Sequence, residues 1–152
     1  MVGPRVIYED LTTWLTHWMH AELTAARADG HHQATNFRVS GTEWHPDRHG
    51  GPEPDWQVII RDDGANQTSI VTSSATVGIT VLGGTKDHMD QAKAIADLVY
   101  AIAGDCAGLQ PRNPIAAVIG GTSPVPVLDP DASAARLYMT LEVALAGRAL
   151  AR

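Results

Sequence analysis

Apolar residues recur along this chain with two different periods, and the changes of period mark out the elements. Residues 55–83 read DWQVIIRDDGANQTSIVTSSATVGITVLG. Trp56, Val58 and Ile60 form one alternating set, with Ile59 as the exception. Val77, Ile79 and Val81 form another, alternating with Thr76, Gly78 and Thr80. Period two marks a strand with one buried and one wet face. The polar link 61–67 contains Asp63-Gly64, a dipeptide that tolerates positive φ, so the stretch predicts a long antiparallel hairpin turning there. An equally regular strand is predicted over 136–146, where Leu137, Met139, Leu141, Val143 and Leu145 alternate with Tyr138, Thr140, Glu142 and Ala144.

Helical spacing appears twice. In 10–28, Leu11, Trp14, Leu15, Trp18, Glu22 and Ala25 fall on one stripe, with Asp10 placed to cap the start and Asp29-Gly30 the stop. The indoles of Trp14 and Trp18 need neighbours, and the hairpin sheet is the obvious partner. In 85–104, Ala92, Ile95, Ala96, Val99, Ile102 and Ala103 form the cleaner stripe. Thr85 or Asp87 can cap it, and its alanines permit close approach to a sheet. Lys86, Asp87, Asp90 and Lys93 are left for water. Shorter strands are predicted at 37–41 and at 115–119, the latter closed by Gly120-Gly121. The proline-rich 122–131 reads as an extended connector or an edge.

The order helix, strand, hairpin, helix, two strands predicts an α+β fold in a single domain over 1–152. An antiparallel sheet carries both main helices on one face. Leu11, Trp14, Leu15, Trp18, Val77, Ile79, Val81, Ile95, Val99, Ile102, Leu141 and Val143 are the predicted core. Arg61, Thr76, Thr80, Thr140 and Glu142 fall on the other face.

One segment fits neither period. Residues 41–54, GTEWHPDRHGGPEP, form a loop long enough to suggest function or ordering on a partner. Trp44 within it is either tucked onto its own domain or offered to another chain.

Composition adds constraints. The net charge of −6 makes the chain a poor candidate for gripping nucleic acid, which rests on phosphate neutralisation. A single cysteine, Cys106, rules out an internal disulfide and fits a reducing compartment. No apolar run reaches membrane-span length, and residues 1–10 lack the apolar core of a signal peptide. The expectation is a protein made and used without secretion.

Candidate chemistry is thin. His17 with His20, His31 with His32, and His45 with His49 invite a metal reading, but no HExxH or cysteine pair accompanies them, so solvated histidines explain them better. Cys106 follows a helix end beside Asp105, which disfavours thiolate; a buried inert thiol is the better reading. Gly83-Gly84-Thr85-Lys86 lacks the full phosphate-loop pattern. Asp62-Asp63 and Asp129/Asp131 lack the further oxygen ligands of a calcium loop, and turn chemistry accounts for both. The expectation is no catalytic, cofactor or metal site.

The pattern as a whole, from about residue 8 to 147, resembles the tail terminator proteins of long-tailed bacteriophages, also called tail-to-head joining or minor tail proteins. Its most suggestive pieces are TVGITV at 76–81, PVPVLD at 124–129 and RLYMTLEV at 136–143. None is a catalytic signature. The resemblance implies a virion protein assembled in the host bacterial cytoplasm, forming a homo-oligomeric ring, typically of six subunits, at the head-proximal end of the tail. Such a ring stops growth of the major tail tube protein and offers a surface to the head–tail connector or head completion protein. DNA passes the lumen without specific binding, which the acidic balance suits. Neither a membrane nor an enzymatic activity is implied. Trp44, Trp56, Arg61, Asp62, Asp63 and Glu142 are the candidate interface residues, with 42–54 and the turn 61–68 as assembly surfaces. The competing readings are another neck or tail-tube protein, and a small α+β enzyme or ligand-binding domain.

Overall fold

Asp10 opens the first helix as its spacing predicts: its Oδ1 accepts from the Thr13 N–H at 3.1 Å. In the computed structural model, which describes residues 6–7, 10–67, 72–108, 110, 112–146 and 148–149, helix α1 runs Leu11–Ala28. It stops at Asp29, followed by Gly30 at φ +84°. The second helix, α2, spans Met89–Gly104 after a short 3-10 turn at Lys86–His88, so it begins a turn later than capping by Thr85 would imply, and that residue instead precedes the 3-10 turn.

The strands are β1 (Val6–Ile7), β2 (Phe37–Ser40), β3 (Trp56–Gln67), β4 (Thr72–Gly83), β5 (Ile115–Pro126), β6 (Ala135–Ala146) and β7 (Arg148–Ala149). β1 and β7 pair antiparallel as a small two-stranded sheet. The other five form one sheet in the order β2-β3-β4-β6-β5, with α1 over β2 and β3 and α2 over β4, β6 and β5. The fold is α+β, with a mixed rather than purely antiparallel sheet, because β2 runs parallel to β3. Parallel neighbours cannot be joined by a tight turn; they need a crossover of about a dozen residues or more, and the long glycine-proline segment supplies it.

Two strand boundaries differ from the sequence reading. Asp63-Gly64 is not the hairpin turn. β3 continues to Gln67, paired with Ser73, and its ladder slips between Asp62 and Ala65, so the dipeptide forms a bulge that takes up the extra residues. The polar run stays in the sheet because β4 is held there from its other side by β6, as far as Thr72↔Ala146. The connection to β4, residues 68–71, lies outside the described residues. Likewise Gly120-Gly121 do not end β5. A Cβ on Gly121 would lie 2.5 Å from the Thr140 carbonyl oxygen, so the glycine lets β5 press against β6 through three register shifts. As an edge strand, β5 tolerates Pro124 and Pro126.

The core lies between this sheet and the helices. Leu11, Leu15, Met19 and Leu23 of α1 are buried, as are Ala92, Ala96, Val99 and Ala103 of α2. They meet Val58, Ile60, Val77, Ile79, Val81, Leu137, Met139, Leu141 and Val143. The buried stripe of α1 is rotated from the one predicted. Glu22 and Ala25 are exposed, Met19 is fully buried, and Trp14 and Trp18 flank the core, stacked with ring centroids 5.9 Å apart. An indole is too broad for the narrow gap over the sheet, and the unbranched Met19 fits it. Ile95 and Ile102 are half-buried at the rim of α2, whose alanines bring it close to the sheet.

Truncating Met139 or Ile79 to Ala should therefore cost roughly 2–5 kcal/mol in urea unfolding, while Ile95→Ala should fall below that range. Equal costs at the three positions would mean that the helix faces are misassigned.

Candidate functional site

The sheet face away from the helices is built in rows set by strand register. Gln57, Leu82 and Arg136 form one row; Ile59, Thr80, Tyr138 and Val125 the next; Arg61, Gly78, Thr140 and Thr122 a third; Thr76, Glu142 and Gly120 a fourth. An uncovered face would leave all of these wet. Instead Gln57, Ile59 and Thr80 are buried, because the 41–54 segment folds across the first two rows.

Specific bonds hold that segment down. Gln57 Oε1 accepts from the Trp44 N–H at 2.8 Å, and Arg136 Nη2 donates to Glu43 Oε1 at 2.6 Å. From β2, the Arg38 guanidinium donates to the Thr42 carbonyl, and also to Thr42 Oγ1 at 3.3 Å and to His49 Nε2 at 3.2 Å. The His49 ring stacks on Trp44 with centroids 6.5 Å apart. Trp44 is half-buried against its own domain, so the tucked placement is the one seen here. Between loop and sheet lies a cavity of about 420 Å³ whose lining includes Glu43, Trp44, Arg48, Arg61, Thr80 and Arg136.

Further along the same face the chemistry changes sign. Tyr138 donates its hydroxyl to Asp63 Oδ2 at 3.0 Å, directly over Gly78, where a Cβ would come within 2.6 Å of that carboxylate oxygen. Burial pushes the Tyr138 phenol above its ordinary pKa, the Asp63 hydrogen bond and charge add to this, and Arg61 opposes it. Thr140 Oγ1 accepts from the Thr122 N–H at 3.2 Å and shares a 2.7 Å hydrogen bond with the Thr122 hydroxyl. Glu142 is exposed beside Gly120.

The interface residues expected from sequence are thus partly gathered. Arg61, Asp63 and Glu142 share this face, and Trp44 lies over it. The three residues Arg61, Asp62 and Asp63 are not at a hairpin tip: they are exposed positions within β3 and at its bulge. Trp56 points the other way, half-buried at the rim of the core against Gly83 and Gly84.

A feature the sequence reading missed lies on the free edge. Ile119, Val125, Val127 and Leu128 are exposed large apolar residues, Leu128 at 91%. They run along β5 and the segment after it. The alternating Val125 and Val127 were the available signal, masked by Pro124 and Pro126 beside them.

Of the other reactive groups, His20, His32 and Cys106 are engaged or enclosed, whereas His17 and His31 are exposed. His32 accepts the Ala34 N–H at Nδ1, 3.1 Å, so its neutral ring donates from Nε2 to the Leu23 carbonyl at 2.7 Å. His20 packs beside Phe37. Among the described residues no three His, Cys, Asp or Glu side chains converge to hold a metal ion. Cys106 is fully buried, and burial, with a smaller contribution from Asp105, pushes its thiol up to about 11. No helix among the described residues is long and apolar enough to cross a membrane. No protein-family model matches the chain, and none of the curated proteins matches it.

Two outcomes follow. Cys106 should resist Ellman's reagent at mildly alkaline pH in the folded protein and react at once in denaturant, since only the exposed chain offers thiolate; fast native reaction would contradict its enclosure. Asp63→Asn should lower the Tyr138 pKa, read by tyrosinate absorbance. In the wild type, the stability linked to this raised pKa is complete below the ordinary tyrosine value near 10 and is lost as pH climbs through the folded value. An unmoved titration in the variant would show that the carboxylate does not act on the phenol.

Proposed function

We propose that this chain is a ring-forming structural protein of the tail terminator type, closing the head-proximal end of a phage tail tube and presenting a surface to the head connector. The observation that carries this reading is that, among the described residues, its five-stranded sheet ends in two unlike edge strands. One is the four-residue β2; the other is the twelve-residue β5, with an exposed apolar strip beside it. Unlike patches on opposite edges suit head-to-tail, heterologous contact, the kind that closes into rings when the rotation between subunits allows.

The form of β5 supports a closed contact over an open one. Three register shifts, two prolines and a glycine pair spoil it as a template for another strand. Contact would therefore run through Ile119, Val125, Val127 and Leu128 rather than through a continuous backbone ladder. The resemblance of the 76–81, 124–129 and 136–143 segments to tail terminators points to the same role, and the net charge of −6 suits a lumen through which DNA slides.

Mass photometry and negative-stain microscopy at high protein concentration should show closed rings. Leu128→Asp and Val125→Asp should each give folded single subunits, because burying a new carboxylate in an apolar contact is costly. Open filaments would reassign the chain to the tail tube. A wild type that stays monomeric at every concentration, and does not arrest tube growth when added to assembling tails, would sink the proposal.

A further inference from the structure

The cavity under the 41–54 segment has a charge imbalance and an idle buried donor that the ring role does not use. Three guanidinium groups, Arg48, Arg61 and Arg136, line it against one carboxylate, Glu43. Glu43 is already bonded to Arg136, whereas Arg48 and Arg61 direct no side-chain hydrogen bond or ion pair at any described residue. The nearest other carboxylate in register, Asp63, is occupied by Tyr138. In a chain of net charge −6, an excess of two positive charges in one cavity is a local inversion of sign. On the floor sits Thr80, 6% exposed, whose hydroxyl has no hydrogen-bond partner among the described residues. Buried hydroxyls are ordinarily paired, and an unpaired one on a residue lining a cationic cavity can donate to a bound anion.

We infer that this cavity is a binding site for a phosphate-type oxyanion, free or carried as the terminal group of a small molecule. The donors come from three elements: Arg48 from the loop, Arg61 from β3 and Thr80 from β4. A tetrahedral anion with several oxygens can meet donors arriving from three directions, and its double charge matches the excess of two. A carboxylate presents two oxygens in one plane and would leave at least one donor idle. The Glu43–Arg136 bridge and the Gln57–Trp44 bond position the roof over the anion. The indole of Trp44 at the cavity wall offers a surface for a planar group attached to it.

The test is calorimetric titration of the full chain at low ionic strength with inorganic phosphate, adenosine monophosphate and succinate. Saturable one-to-one binding of phosphate is expected, weakened roughly tenfold or more by Arg61→Gln and by Arg48→Gln, and measurably by the near-isosteric Thr80→Val. Circular dichroism checks that each variant is folded. Tighter binding of the nucleotide, with quenched tryptophan fluorescence that Trp44→Ala abolishes, would assign the anion to a planar carrier; equal affinity would assign it to free phosphate. No saturable phosphate binding up to about 10 mM, affinity unchanged in both arginine variants, or succinate binding as tightly as phosphate would each overturn the inference.

Discussion

The structure depends on the ladder between β4 and β6. It runs without a break from Thr72↔Ala146 to Gly83↔Ala135, the one long pairing in the sheet with no register shift. That register sets Val77 beside Leu141, Ile79 beside Met139 and Val81 beside Leu137, so each pair enters the core together. A slip of β6 by one residue would turn Leu137, Met139 and Leu141 toward the loop-covered face and bring Tyr138 and Thr140 under α2. The irregularities are pushed outward to β3 and β5, where bulges cost little because the centre holds.

The second constraint is the parallel entry of β2. Because β2 and β3 point the same way, the chain must return across the sheet, and the helices already occupy one face. The return therefore crosses the other face. This turns an ordinary wet surface into a covered one and encloses Gln57, Ile59 and Thr80. Arg38, Gln57 and Arg136, from three different strands, hold the crossing in place. The cavity is a by-product of this topology, and its cationic character comes from Arg136 in the first row, Arg61 in the third and Arg48 on the crossing segment.

Much of this was legible in the sequence, for identifiable reasons. Both helix ends of α1, the end of α2 and the alternation of β4 and β6 could be read because local periodicity and capping agree with the tertiary outcome there. The hairpin turn was misplaced because Asp-Gly serves a bulge as well as it serves a turn, and only β6, more than seventy residues away, decides between them. Met19 was missed because side-chain volume over the sheet, not hydrophobicity, chose between it and the indoles. The convergence of Arg48, Arg61 and Arg136 could not be seen, since no local rule predicts that β2 would pair parallel. Of the candidate interface residues, Arg61 and Glu142 were placed on one face correctly by period two alone, Asp63 was assigned to a turn instead of the bulge that holds it, and Trp56 fell to the opposite face by the same rule.

The strand order also has a consequence for synthesis. β6 is the last long strand in the chain, yet it lies in the interior of the sheet, between β4 and β5. Until residues 135–146 leave the ribosome, β5 has no neighbour to pair with and α2 has no complete floor to cover. The Glu43–Arg136 bridge joins positions 93 residues apart, so the 41–54 segment too waits for the C-terminal strand before it can close. Folding of this chain is therefore a late, concerted event governed by long-range pairing, with the slow formation that non-local topologies impose. A nascent chain stopped short of β6 would expose β4, α2 and the apolar strip of β5 together.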